Sequence, residues 1–199
     1  MEKKYKEAKA RYIDIVMRET WGNDKGMRKH YEKTLAGVAE LSNGYLIPIE
    51  KTSIKKDFCF GYSLSRYESE EYDNANEQAR HAAESVEYFI QENLRPVDEY
   101  IKNFEELESV RRFVPVVRTN YYRAPRNSVI KCIDWVKDWE YAEYTEAQKK
   151  QKELLNDIDK QIIIEALKAE REDFKKRLET YLKKYGLSKV NSWSYWRDA

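Results

Sequence analysis

The 199-residue chain holds six glycines, four prolines, two cysteines and two histidines. Each scarcity removes a class of chemistry. With so few glycines no GxGxxG or GxxxxGK stretch occurs, so no phosphate-cradling loop is announced. The acyl-transfer and zinc-protease signatures GxSxG and HExxH are absent as well. Glu77, His81 and Glu84 share a helical spacing that a metal could use. No second pair of ligands accompanies them, so a solvated face with a Glu–His contact is expected, and no metal. Cys59 and Cys132 each stand alone in an apolar, strand-like stretch, which suits small buried hydrophobes better than ligands or reactive thiols. Whether the two lie near one another does not follow from spacing. No apolar run reaches membrane-spanning length, and the charged opening "MEKKYKEAKARY" lacks a signal-peptide core. The expectation is a cytoplasmic, non-enzymatic protein without cofactors, a small hydrolase or metalloenzyme being the last alternative.

What the chain has in quantity is charge and aromatic rings. Charged residues make up 37 %, hydrophobic ones 41 % and aromatics 14 %, with sixteen tyrosines and five tryptophans. That is polar for a globular domain, yet the rings are too many for a disordered one. They supply core area and, where exposed, the anchors of interfaces. A chain of this size can bury a core without disulfide or metal staples.

Periodicity outlines an α+β fold. Tyr5, Ala8, Tyr12, Ile15 and Val16 recur at helical spacing over 2–20, and "WGNDKG" ends that helix. A short helix is predicted over 27–36. Asn43-Gly44 lies between two apolar runs, the signal of a type I′ hairpin, and "FCFGYSLS" at 58–65 alternates as a third strand, giving a meander over 37–65. Pro48 marks its strand as an edge or a bulge. A helix begins near Asp73. Arg95, before Pro96, predicts a break or kink, with a second helix through Leu107. Strands are predicted over 111–119 and 128–135, joined by the loop "YYRAPRN". No glycine or proline interrupts 145–185, which predicts one long helix. Its stripe runs Leu155, Ile158, Ile162, Ala166, Ala169, then skips five to Phe174, Leu178, Tyr181 or Leu182, and Tyr185, as at a stutter or bend. The aromatic tail "LSKVNSWSYWRDA" is expected to dock. The fold expected is a small antiparallel sheet of four to five strands, flanked by helices, with a long C-terminal helix. Residues 1–144 would form the core with its acidic helical pair, and 145–199 the long helix and tail on the same domain.

The net charge of +1 conceals a division. From Glu68 to Glu108, thirteen acids face only Arg80, Arg95 and Lys102, a net of −10. From Ser109 to Lys137, seven bases face Asp134, a net of +6. Three uses of this layout compete. The two blocks can answer one another within the fold, each ion pair contributing little. The basic block can grip nucleic acid, with Arg118, Arg123 and Arg126 on phosphates and Tyr121 and Tyr122 on bases. Or the acidic helices, through Glu68, Glu70, Glu71, Glu77, Glu84, Glu87 and Glu92, can engage a basic groove on another protein, where complementary charge speeds capture and sets specificity.

Two aromatic signatures resemble known sequences. "NGYLIPIEK" with "DFCFGY", at 43–51 and 57–62, and the ending "YLKKYGLSKVNSWSYWRDA", at 181–199, are similar to short uncharacterised accessory proteins of phages and mobile elements of Gram-positive bacteria. They cover about a fifth of the chain. The resemblance implies a context, because small phage proteins without catalytic motifs often act by binding a host machine, anti-CRISPR proteins being the best-known case. The leading expectation is therefore a protein-binding module in the bacterial cytoplasm. It would inhibit a nucleic-acid-handling host defence complex by covering a basic surface with acidic helices. The alternative is a nucleic-acid-binding accessory protein using the Arg/Tyr loop. A homodimer through the long helix fits either.

Overall fold

A computed structural model of the chain describes residues 1–55, 75–105, 113–119, 125 and 128–184, with only the backbone over 75–85. In chain order the elements are α1 (Lys3–Val16), a π-helical turn (Met17–Trp21), α2 (Lys25–Thr34), β1 (Leu35–Glu40), β2 (Leu46–Glu50), α3 (Ala75–Glu105), β3 (Phe113–Thr119), β4 (Lys131–Lys137), α4 (Asp138–Ala142), α5 (Glu146–Gln151), β5 (Lys152–Leu154) and α6 (Asp157–Lys184). The fold is α+β. Two compact units are present, Met1–Thr52 with Glu99–Glu170, and Ser53–Asp98 with Arg171–Ala199.

The first unit contains the five strands found among the described residues. Helix α1 buries Tyr5, Ala8, Tyr12, Ile13 and Val16, the three-to-four spacing of an apolar stripe. It lies so close to β1 that a Cβ at Gly37 would stand 3.0 Å from Tyr5 Cβ. Asp24 caps α2, its carboxylate accepting the N–H groups of Gly26 at 2.8 Å and Met27 at 3.0 Å. Tyr12, Ile13, Val16, Tyr31, Leu35, Val38, Leu46 and Ile130 close one core cluster. The chain turns to strand at Leu35, earlier than the helix predicted over 27–36, because Leu35 and Val38 fill that cluster from β1.

The hairpin between β1 and β2 is present, but its turn is not type I′. Among the described residues no non-glycine has positive φ, Asn43 included, whereas Gly44 has φ 84°. Gly44 N–H donates to Leu41 O at 2.9 Å and Leu41 N–H to Tyr45 O at 2.8 Å, the pattern of a three-residue loop closed by a glycine bulge. Asn43 contributes through its side chain instead, accepting from Tyr45 N–H at 3.1 Å. The predicted strand over 58–65 lies outside the described residues.

Strand β3 is central in an antiparallel sheet of order β4-β3-β5. Leu46 and Ile130 form a parallel bridge from the hairpin to this sheet, with Leu46 N–H on Val129 O at 2.8 Å. Pro115, Val116 and Val117 are buried in succession, so β3 is covered on both faces there. The return strand runs two to three residues later than predicted.

The helix predicted over 145–185 is two helices and a strand. Thr145 and Gln148 make a capping box that starts α5. The chain then extends as β5, pairing Leu154, Glu153 and Lys152 with Val116, Val117 and Arg118. Asn156 restarts the helix, its Oδ1 accepting Asp159 N–H at 2.8 Å. The stripe is also shifted by one residue. Ile158 is 69 % exposed, while Asp159, Ile163, Ala166, Leu167, Glu170, Phe174, Leu178 and Leu182 are buried. The apparent skip disappears because Glu170, 2 % exposed, occupies the missing position.

In the second unit, the first part of α3, up to Asp98, and the last part of α6, from Arg171, run antiparallel. Phe89 and Tyr181 stack with ring centroids 6.0 Å apart, and Arg171 holds Asp98 through two hydrogen bonds, one of them Nη2 to Oδ2 at 3.2 Å. Helix α3 continues through Pro96 without the predicted break. Val86, Phe89, Ile90, Asn93, Leu94, Val97, Ile101 and Phe104 form one buried stripe on both sides of the proline. Burial of that stripe outweighs a proline cost of about 3 kcal/mol.

Candidate functional site

The acidic block finds its described partners on helices, not on the basic strand. Arg95 Nη2 meets Glu92 at 2.9 Å one turn away, Arg171 takes Asp98, and Lys168 meets Glu105 at 2.6 Å. All three neutralised pairs stand at or beyond Glu92. Before it, from Glu68 to Glu87, the sequence offers Arg80 alone against seven acids. Among the predicted contact residues, Glu87 is exposed, beside Tyr88 at 55 % exposure. The Glu92 side chain is 14 % exposed and turned to Arg95. Glu77 and Glu84 lie on α3, one helical repeat apart, with side chains outside the description. Glu68, Glu70 and Glu71 lie outside the described residues altogether.

The basic set separates differently. Arg118 Nε donates to Asp134 Oδ2 at 2.9 Å, across β3 and β4. Asp134 pairs in register with Val116, two residues from Arg118, so the contact is a diagonal on one sheet face. One member of the predicted Arg/Tyr cluster is thereby committed within its own sheet. Tyr121, Tyr122, Arg123 and Arg126 lie outside the described residues. So does Cys59; Cys132 is half-buried on β4, with Sγ 3.7 Å from Arg118 O.

Sequence reasoning passed over a second group of polar residues, those inside the apolar stripes. Asp159 accepts Ser42 N–H at 2.8 Å and Asn156 Nδ2 at 2.8 Å. Glu170 accepts Thr52 N–H at 2.8 Å, and Asn93 accepts Lys55 N–H at 2.8 Å. Each helix side chain answers a backbone donor that has left its strand ladder, which is how buried main chain is satisfied outside regular structure.

A third group surrounds Tyr45. Its hydroxyl donates to Glu153 at 3.0 Å, and burial first, then that carboxylate, raises the phenol above its ordinary value. Lys131 Nζ stands 4.7 Å from the centre of the Tyr45 ring and donates to Thr119 Oγ1 at 3.1 Å. Lys131 is 9 % exposed. Its parity with Ile133 and Trp135 along β4 was the available signal, since alternate strand residues share a face.

No helix among the described residues is long and apolar enough to cross a membrane. Among those residues no three His, Cys, Asp or Glu side chains gather as metal ligands. No protein-family model, curated protein or solved structure matches this chain.

Proposed function

We propose that this chain is a non-enzymatic binding protein that captures a protein partner with the acid-rich first part of α3. The partner surface that fits is basic, of the kind that handles nucleic acid, and covering it would inhibit a host defence complex. The observation that supports this reading is the asymmetry of α3. From Glu68 to Glu87 the sequence sets seven acids against Arg80 alone, cations answer Glu92, Asp98 and Glu105 further along, and Glu87 and Tyr88 are exposed. An exposed tyrosine beside an exposed carboxylate, in an acid-rich stretch, combines an anchor with electrostatic steering.

The test is capture from bacterial lysate, treated and untreated with nuclease. Glu84→Lys with Glu87→Lys, and separately Tyr88→Ala, should abolish nuclease-resistant capture while circular dichroism stays unchanged. Capture undiminished by both variants would sink the reading. Capture lost on nuclease treatment of the wild type would transfer the function to the basic block.

A further inference from the structure

We propose that the crossover between β4 and β5 is a docking surface whose occupant is an arginine-rich segment of a partner protein. It belongs to the first unit and does not depend on the α3 surface. Topology sets the length of this crossover. Strands β4 and β5 flank β3 and are both antiparallel to it, so they run parallel to each other and the chain must pass from one side of β3 to the other. Topology does not set its composition. A crossover helix ordinarily buries an apolar stripe against the sheet it spans. Helices α4 and α5 bury no residue. The connection nevertheless carries Trp139, Tyr141 and Tyr144, and Trp139 is 54 % exposed. Large rings that add little to a core are the usual anchors of an interface.

Charge and ring placement indicate the occupant. Phe113, itself exposed, pairs in register with Lys137, whose ammonium stands 5.4 Å from the centre of the Trp139 ring. The Tyr141 and Tyr144 rings are 5.5 Å apart, centre to centre, and Lys152 Nζ stands 5.3 Å from the centre of Tyr144. Trp139 and Tyr144 thus each already receive a lysine of this chain, which is the behaviour of cation-receptive rings. From Asp138 to Gln148 the sequence holds four acids, Asp138, Glu140, Glu143 and Glu146, and no base. All four are exposed. Glu140 accepts the Tyr144 hydroxyl at 3.3 Å, and Glu146 meets Lys149 at 3.9 Å, surface contacts that contribute little. Such a surface repels a phosphate backbone and attracts a cationic segment. A guanidinium can stack on a ring and donate in its own plane to a carboxylate, whereas an ammonium is a point charge, so arginine fits better than lysine.

The probe is a short synthetic peptide in which arginine alternates with serine, set against versions with lysine or glutamate in place of arginine. Amide shifts over the whole chain locate binding, and their titration gives the affinity. The arginine peptide should shift the amides of 138–146, bind severalfold more tightly than the lysine peptide, and weaken as salt rises. The glutamate peptide should shift none of them. Trp139→Ala should weaken binding about tenfold or more, and Trp139→Phe by less. Glu140→Lys with Glu143→Lys should abolish it. Because α4 buries no residue, the thermal midpoint should stay where it is in each variant. Equal affinity for the lysine peptide, or an affinity unchanged by Trp139→Ala, overturns the proposal. So do shifts confined to α3, which would give the peptide to that helix. Self-association of the wild type that Trp139→Ala abolishes, without a peptide response, would assign the surface to a second copy and overturn it as well.

Discussion

Replacing Asp159 with alanine tests how the hairpin is joined to α6. The carboxylate is 2 % exposed and accepts two hydrogen bonds, from Ser42 N–H in the hairpin loop and from Asn156 Nδ2 at the helix cap, both at 2.8 Å. A hydrogen bond to a charged group contributes about 1.5–3 kcal/mol, and an orphaned buried donor costs about as much. Asn156 is exposed and can turn its amide to water, so most of the loss falls on the Ser42 N–H. The acid in the first turn also faces the positive end of the helix, a further contribution of about 0.5 kcal/mol. Asp159→Ala should therefore destabilise by about 3 kcal/mol. For a chain of this length that lowers the thermal midpoint by roughly 6–12 °C. Asp159→Asn keeps an acceptor for Ser42 but sets an amide donor against Asn156 Nδ2, so about 1–2 kcal/mol should be lost. Asn156→Ala combined with Asp159→Ala should cost less than the two separately, since the residues share one contact. Urea unfolding of the four proteins measures all of this. A loss below about 0.5 kcal/mol for Asp159→Ala would refute the role given to the carboxylate.

Gly37→Ala should destabilise by about 1–3 kcal/mol, because the new Cβ would stand 3.0 Å from Tyr5 Cβ, which the α1 backbone fixes, and 3.1 Å from the more yielding Met1 Cε. Gly37→Val should cost more, and equal stability of both variants in urea would show that α1 can shift. Tyr45 carries a pH dependence of determined sign. Its folded-state value lies above the ordinary 10.0, so its contribution is complete below pH 10 and is lost as pH rises through the higher folded value. Tyr45→Phe should remove that part of the alkaline decline, seen as a smaller difference between unfolding curves at neutral and alkaline pH; an unchanged decline would place its origin elsewhere.

Much of the fold could be read from residue types. Helix α1 and its stop, the α2 segment, the hairpin around Asn43-Gly44 and the antiparallel strands about "FVPVV" follow from periodicity and turn chemistry. The departures have local causes. Asn156 and Asp159, at cap and third position, were a legible helix start inside the long polar stretch, but an uninterrupted run without glycine or proline hides it. Three residues, Lys152–Leu154, have no strand preference of their own and extend because β3 offers an open edge. The stripe of α6 was misplaced because a hydrophobic count cannot register Asp159 and Glu170 as interior positions. Local rules predict a break or kink at Pro96 because they do not include the buried stripe that carries α3 through it unbroken.

The candidate surfaces divide along the same line. Sequence alone determined the charge layout, the scarcity of catalytic motifs and the class of the fold, since those depend on composition and on spacing along one chain. Tertiary structure decided the partners of the charges. Lys168 and Arg171, far along the chain, answer Glu105 and Asp98, and Asp134 answers Arg118. It also buried Lys131 with a hydroxyl and a ring for company. Ion pairs and buried donors depend on distances of a few ångströms between residues remote in sequence, and only the packing of α3, α6 and the central sheet fixes those distances.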